Sequence, residues 1–588
     1  MQAIIYKYGK ITLSIIFGMI VFWFWEFHYP CYLSYQEQFQ MFLIDKSYFL
    51  ERIVVPGGLV NYLSEFLTQF YYIPWMGACI LSLIYVFIQR VIWILAKHEG
   101  VTNAYYPLSF IPILIVWFYM GDENAMLSYV IALLTTLTTA WWASSIKKRW
   151  IKLLFYVISI PCLFWLIGAE VSLFVGYIII STVKNGKSKF NAVGYSIGII
   201  IFYLACVLCA STFLQYPFFR IFGGIGYYRF PAVIPVMQII IMIVFSIYPF
   251  LLSMLPMISK RKTIKIVSEI AIIVIGGFFF VKSGFDELKY ELIDYDYLVR
   301  HEQWQKIIEK AEKKQASTPM GVACVNLALA MQNQLSDHMF EFYQNGAEGL
   351  LPPFQRDFTS LLPTSEAFYR LGMINTAQRY MFEAQEAIPN FNKSGRCTKR
   401  IAETNMINGQ YRVAAKYLRM LQKTLFYKDW ADNAMTYLNS ENKINSHPEW
   451  GRLRQFRYTK DFLFSDTELD QMLGILFVRN HNNKMAFEYL IAYELLQRDI
   501  QKFVTYYPLG KYANFDHIPR SYQEMLVYMW TQNHPNFDGM PWSIDEQIMQ
   551  NITEFARLYT TNPKDPTLKL GAFGNTYWSY LLVKKNDK

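Results

Sequence analysis

Charge is what this sequence has least of. Asp, Glu, Lys and Arg make up 17% of its 588 residues, against about a quarter in an ordinary soluble protein. With 54% hydrophobic residues, that shortage excludes a disordered chain. Histidine is scarce too: the eight residues are scattered, with no HExxH or C2H2 spacing, so zinc is not indicated. Seven cysteines make an odd set without a disulfide framework. Cys206-x-x-Cys209 falls inside an apolar stretch, without a second pair, and reads as packing. A Gly-x-Ser-x-Gly elbow is missing, and the glycines near 223–226 follow no strand and precede no Walker lysine. Charges in the middle of the apolar runs are nearly absent, which argues against an ion-coupled transporter.

What is there in quantity is apolar and aromatic. Aromatic content is 18%, as expected where rings sit at membrane interfaces. Residues 1–283 hold 20 Lys/Arg and 10 Asp/Glu, whereas residues 284–588 hold 35 of each. The net charge of +10 therefore lies between apolar segments, not on a basic surface, and no nucleic-acid partner is expected.

Runs of about 17–23 apolar residues predict nine spanning helices, near 11–27, 73–95, 105–120, 125–144, 151–168, 170–183, 193–214, 236–258 and 266–283. The first keeps Trp23-Phe24-Trp25-Glu26 where a cleavage site would need small residues, so it reads as an anchor. Fifteen Lys/Arg collect on one side of this arrangement and five on the other. By the positive-inside rule the N-terminus is cytoplasmic and residues 284–588 are exported. The expected fold class is thus all-α: a polytopic membrane domain, 1–283, followed by an extracytoplasmic helical domain, 284–588.

The first outer loop, 28–72, is long. Leu59, Leu63, Phe66, Leu67 and Phe70 recur at helical spacing, with Asn61, Glu65 and Thr68 elsewhere on the wheel. A helix lying in the membrane interface is expected there, and a second over Tyr35–Ile44, with Pro56-Gly57-Gly58 as the turn between them. Acids cluster on the outer side, among them Glu37 in Glu37-Gln38-Phe39-Gln40 and the pair in Gly121-Asp122-Glu123-Asn124. Solvated loop residues would explain them; so would a catalytic face. Arg220 and Arg229 flank Ile221–Tyr228 in the loop 215–235, where they serve either as interfacial anchors or as phosphate ligands.

A first helix followed by an outer loop with two interfacial helices and an early acid resembles the start of the GT-C superfamily of integral membrane glycosyltransferases. That resemblance covers residues 1–283 and implies a polyprenyl-phosphate-linked sugar donor used on the extracytoplasmic side. Glu37 falls at the first-loop acid, though the family more often has Asp there, and Asp122-Glu123 at the second-loop acids. Glu37 would then act as base or orient the acceptor. Asp122 and Glu123 would position the acceptor or hold a divalent cation, the one cofactor this reading admits. Arg220 and Arg229 would contact the lipid phosphate.

The second half is rich in helix formers. Gly372, Ala377, Ala384 and Pro389, then Gly409, Tyr411, Ala414 and Leu418, resemble tetratricopeptide (TPR) repeats, in which small residues let the two helices of a hairpin approach. A helical-repeat array offers a concave surface to a protein or peptide partner. Two functions follow. One is a GT-C-like transferase of envelope glycan or glycoprotein assembly in a bacterial inner membrane. The other is a membrane-anchored TPR scaffold that recruits periplasmic partners without chemistry.

Overall fold

The computed structural model describes residues 2–186, 188–223, 236–256, 262–388, 392–458 and 468–583. Among these the chain is helical, without strands. It divides into two units. The first holds residues 1–290 together with 388–396 and 419–431; the second holds 291–387, 397–418 and 432–588. The sequence places the boundary near 283. It does not foresee that two short stretches of the second half belong to the first unit.

In the first unit, α1 (Gln2–Trp23), α2 (Pro30–Glu37), α3 (Lys46–Ile53), α4 (Gly58–Thr68) and α5 (Pro74–His98) come first. Then follow α6 (Ile111–Tyr119), α7 (Leu127–Ser145), α8 (Arg149–Ile167), α9 (Val171–Asn185) and α10 (Lys189–Leu214). The short α11 (Phe218–Gly223), α12 (Val236–Ser253) and α13 (Lys262–Lys282) complete it. Among the described residues, six stretches are long and apolar enough to cross a membrane: Gly9–His28, Pro74–His98, Leu127–Ser145, Arg149–Asn185, Lys189–Leu214 and Val236–Ser253. Ile266–Lys282 joins Glu287–Arg300 at a 72° bend, and Pro107–Tyr119 is a shorter apolar helix.

The 37-residue stretch Arg149–Asn185 is not one rod. Tyr156 and Phe174 have ring centroids 6.0 Å apart, whereas eighteen residues of continuous helix would separate them by about 27 Å. The reversal is at Gly168, whose φ of +82° a side chain would strain. The α8–α9 hairpin matches the two separate helices expected at 151–168 and 170–183.

Contacts define two ends of this bundle. At one, Lys10 donates to Asn103 at 2.7 Å, Tyr105 donates to the Pro256 carbonyl at 2.6 Å, and Lys184 reaches both Glu99 and Ser253 at 2.7 Å. At the other, Tyr32 donates to the Gly121 carbonyl at 2.7 Å, Gln238 donates to the Tyr119 hydroxyl at 2.7 Å, and Gly57 donates to the Trp165 carbonyl at 3.0 Å. Phe280 stacks on Phe118 at 4.9 Å toward that second end. These contacts put the start of α1 and the ends of α5, α9 and α12 at the first end, and the ends of α6, α8 and α13 with the start of α12 at the second. Lys10, Lys97 and Lys184 lie at the first.

The first outer loop departs from expectation in one place. Instead of a helix over Tyr35–Ile44, α2 ends at Glu37 and the chain runs on without helix to Asp45. The cause is non-local: the Met41 and Ile44 amides donate to the carbonyls of Lys393 and Lys423, at 2.8 and 2.7 Å. A helix would spend those donors internally. The other expected helix is present as α4, closed by a tight 3-10 turn, Gln69–Tyr72.

The second unit is built from helical hairpins. Phe358–Leu371 and Ile374–Ala387 pair across Gly372, which caps the first helix with φ +88°. Ala377 and Ala384 are fully buried in that hairpin, as are Ala414 and Leu418 in Tyr411–Leu421. Leu469–Arg479 pairs with Lys484–Gln497. Pro389 lies outside the described residues. A buried ion network joins Phe358–Leu371 to Gly395–Ile407 and Pro448–Phe456: Arg370 reaches Glu366 at 2.7 Å and Glu449 at 3.1 Å, and Arg400 reaches Glu366 at 2.5 Å and Glu403 at 2.9 Å. The Arg400 guanidinium lies 3.5 Å from the Tyr369 ring centroid.

Candidate functional site

The second end of the first unit is lined with polar side chains turned inward. On α4, Ser64, Glu65 and Thr68 are buried, while Leu63 and Phe66 are 39% and 40% exposed. In water that would be inside out. It is the arrangement of a helix whose apolar face meets lipid and whose polar face meets protein. Opposite it, Gln36, Glu37, Gln38 and Gln40 are all buried. Ser64 donates to Gln40 at 3.2 Å and Gln36 donates to the Ala125 carbonyl at 3.2 Å, so α4, α2 and the 121–125 loop meet through polar groups.

This polar core is only partly satisfied. The Gln36 and Gln69 carbonyl oxygens, the Thr68 hydroxyl and the Tyr71 hydroxyl are buried without a hydrogen-bond partner. Burying such groups costs about 1–3 kcal/mol each, and they concentrate at binding and catalytic sites.

Glu37 sits at the edge of this core with 4% of its surface exposed. The Tyr427 hydroxyl donates to it, 3.0 Å from Oε1 and 3.4 Å from Oε2. Gly395 makes room for that ring: a Cβ there would lie 2.4 Å from Tyr427 Cε2. Beside it, Arg396 donates to Gln38 at 2.9 Å. The later stretches 388–396 and 419–431 thus fasten the first outer loop. Lys423 pairs with Asp45, and that partner holds the Asp45 carboxyl down at about 2.

The other predicted acids have different neighbours. Asp122 is exposed, and its Oδ1 accepts from the Asn124 amide at 2.8 Å, as the first residue of a turn does. Glu123 is buried and pairs with Lys289. That partner raises the Lys289 ammonium above its usual range against the effect of burial. The 121–125 loop is brought against α2, but Tyr427 donates to Glu37 whereas Asn124 donates to both Asp122, at 2.8 Å, and Glu123, at 3.1 Å. Arg220 lies half-buried on α11, a helix packed on the Gly168–Glu170 turn at the same end. Arg229 lies outside the described residues. No group of three His, Cys, Asp or Glu side chains that could hold a metal occurs among the described residues.

One feature escaped the sequence reading. Glu65 takes a bidentate pair from Arg52, Nη2 to Oε1 at 2.9 Å and Nε to Oε2 at 3.1 Å, and a short hydrogen bond from Tyr48. Arg52 also donates to Asn392 at 2.7 Å. Burial pushes the Glu65 carboxyl up, and Arg52 offsets only part of this. The spacing Tyr48, Arg52 at i, i+4 was the available signal.

These features define an all-helical protein whose apolar helices are those of a membrane protein, with a polar core at one end of its bundle. The chain belongs to DUF6057, a family of unknown function whose model matches residues 4–584. Neither a curated protein nor a solved structure matches it.

Proposed function

We propose that this protein is a nine-pass bacterial inner-membrane protein that transfers a sugar from a polyprenyl-phosphate carrier on the outer face, in envelope glycan or glycoprotein assembly. The N-terminus is cytoplasmic and the second half periplasmic. What supports the topology is that the helix ends fall at two ends of the bundle, with Lys10, Lys97 and Lys184 at the one assigned to the cytoplasm. What supports the chemistry is Glu37: a carboxylate buried in an incompletely satisfied polar core, beneath an amphipathic helix whose apolar face is outward. A base that takes a proton from an acceptor needs such shelter, and a lipid-linked donor needs an entry through lipid. Asp122, Arg220 and Arg229 lie in loops assigned to the same side and contribute acceptor and phosphate contacts in this reading.

The test is native mass spectrometry of the purified protein, looking for a co-purifying polyprenyl phosphate. An Arg220→Ala, Arg229→Ala double variant serves as control. An isoprenoid phosphate lost in the variant supports the transferase, and only bulk phospholipid in both samples counts against it.

The second reading is a scaffold whose TPR-like hairpins recruit a periplasmic protein. The observation favouring it is that Glu37 and Glu123 are each tied to a structural partner, Tyr427 and Lys289, and Asp122 caps a turn. Glu37→Gln separates the two: a scaffold tolerates it, a transferase does not.

A further inference from the structure

At the opposite end of the same bundle, α8 and α10 leave an open groove of about 660 Å³ between them. Leu153, Val157 and Ile160 form one wall and Ile199 and Phe202 the other. The floor is backbone: a Cβ on Gly194 or Gly198 would meet nothing within 4 Å. The apolar length from Leu153 to Ile160 is roughly 10 Å, close to the ~15 Å depth of one leaflet's hydrocarbon.

The mouth of this groove is cationic. Arg149 lines it, its guanidinium 4.6 Å from the Tyr195 ring centroid, and Asn191 lies beside it. Lys147 and Lys148 precede Arg149 in the chain and are exposed. Both α8 and α10 begin at this mouth, and neither Lys148 nor Ser188 caps its helix with a side-chain hydrogen bond. First-turn amides and a guanidinium therefore stand over an apolar furrow, a pairing that suits a phosphate carrying a hydrocarbon chain.

We propose that this groove binds one anionic phospholipid of the cytoplasmic leaflet, with its phosphate at Arg149 and the upper part of an acyl chain along Gly194 and Gly198. This rests on the reading above that α8 and α10 cross the bilayer. Charge decides the occupant. A zwitterionic lipid brings its own cation to a mouth lined by Arg149 and preceded in the chain by two exposed lysines, whereas phosphatidylglycerol brings none.

The test uses the full-length protein in nanodiscs of equal phosphatidylglycerol and phosphatidylcholine, released into the gas phase, with retained lipid counted by native mass spectrometry. One phosphatidylglycerol should be retained in about tenfold preference over phosphatidylcholine. Arg149→Ala should abolish the preference. Gly198→Leu keeps every cation and has room for its side chain, so it should fold normally and expel the lipid by filling the furrow. Equal retention of the two lipids overturns the proposal. So does a Gly198→Leu protein that keeps its phosphatidylglycerol, which would reduce the mouth to a diffuse basic surface, or retention of a polyprenyl phosphate in place of the phospholipid. Carbonate washing of native membranes comes first: a protein released by it would overturn the membrane reading itself, whereas a protein that stays yet shows no preference overturns only the lipid site.

Discussion

Tyr427 and Glu37 are 390 residues apart in sequence, and their hydrogen bond is a place where one atom can be removed cleanly. Tyr427→Phe keeps the ring against Gly395 and takes away the donor. A buried carboxylate that loses a donor should cost about 1–3 kcal/mol, read as a lowered melting temperature. Glu37→Gln keeps an oxygen that accepts from Tyr427, so that hydrogen bond should survive while function is lost if Glu37 handles a proton. In the second unit, Glu494 is 1% exposed with both carboxylate oxygens unpartnered, and burial pushes its pKa up to about 7 although Lys502 pulls it down. A folded pKa above the unfolded one near 4.5 means that the fold holds the proton. Its contribution is then complete below the unfolded pKa and lost as pH rises toward 7. Glu494→Gln should therefore leave stability unchanged near pH 4 and raise it by roughly 2 kcal/mol at pH 8, by denaturant titration at both pH values. Glu488 and Glu524, also pushed up to about 7, would keep a residual slope in the same direction. Equal midpoints for variant and parent at pH 8 would refute the assignment.

On the scale of elements, α3 and α4 are held by the Arg52–Glu65 pair. Removing Arg52 alone strands a buried carboxylate, so Arg52→Met should cost about 3–5 kcal/mol. Adding Glu65→Met should recover most of that, and a double-mutant cycle on melting temperature measures the recovery. The same elements show what periodicity could and could not tell. The spacing Leu59, Leu63, Phe66, Phe70 identifies α4 correctly, because a repeat near 3.6 is a local property. It does not say which face is turned inward, because that depends on whether lipid or protein lies beyond, and here Ser64, Glu65 and Thr68 took the interior. The helix expected over Tyr35–Ile44 stops at Glu37 because the backbone partners of Met41 and Ile44, Lys393 and Lys423, belong to chain far downstream. Glu37 was singled out from its place in the loop, but its partner Tyr427 was invisible for the same reason. Lys289, the partner of Glu123, lay just past the expected domain boundary.

At the scale of the molecule, most follows from counting passes. Hydropathy finds the long helices, but length alone merges α8 with α9 and passes over α6, a nine-residue helix preceded by 3-10 turns. Lys and Arg placement argues for both, since merging α8 with α9 would put Lys184 on the side opposite Lys147–Lys152, and dropping α6 would put both on the side opposite Lys10, although Lys184 and Lys10 belong to one end of the bundle. In the proposed topology the count fixes where the second half works: an odd number exports it, an even number leaves it on the side of Lys10 and Lys184. Single cysteines at Asn124, Lys147 and Glu312, all exposed positions, in a background with the seven native cysteines replaced, distinguish these outcomes. A small membrane-impermeant maleimide added to intact cells should label the Asn124→Cys and Glu312→Cys proteins and leave Lys147→Cys unlabelled until the cells are broken. Labelling of Asn124→Cys without Glu312→Cys would mean an even number of passes. It would also put the helical hairpins of the second unit in the cytoplasm and separate them from any chemistry at Glu37, leaving the scaffold reading with a cytoplasmic partner.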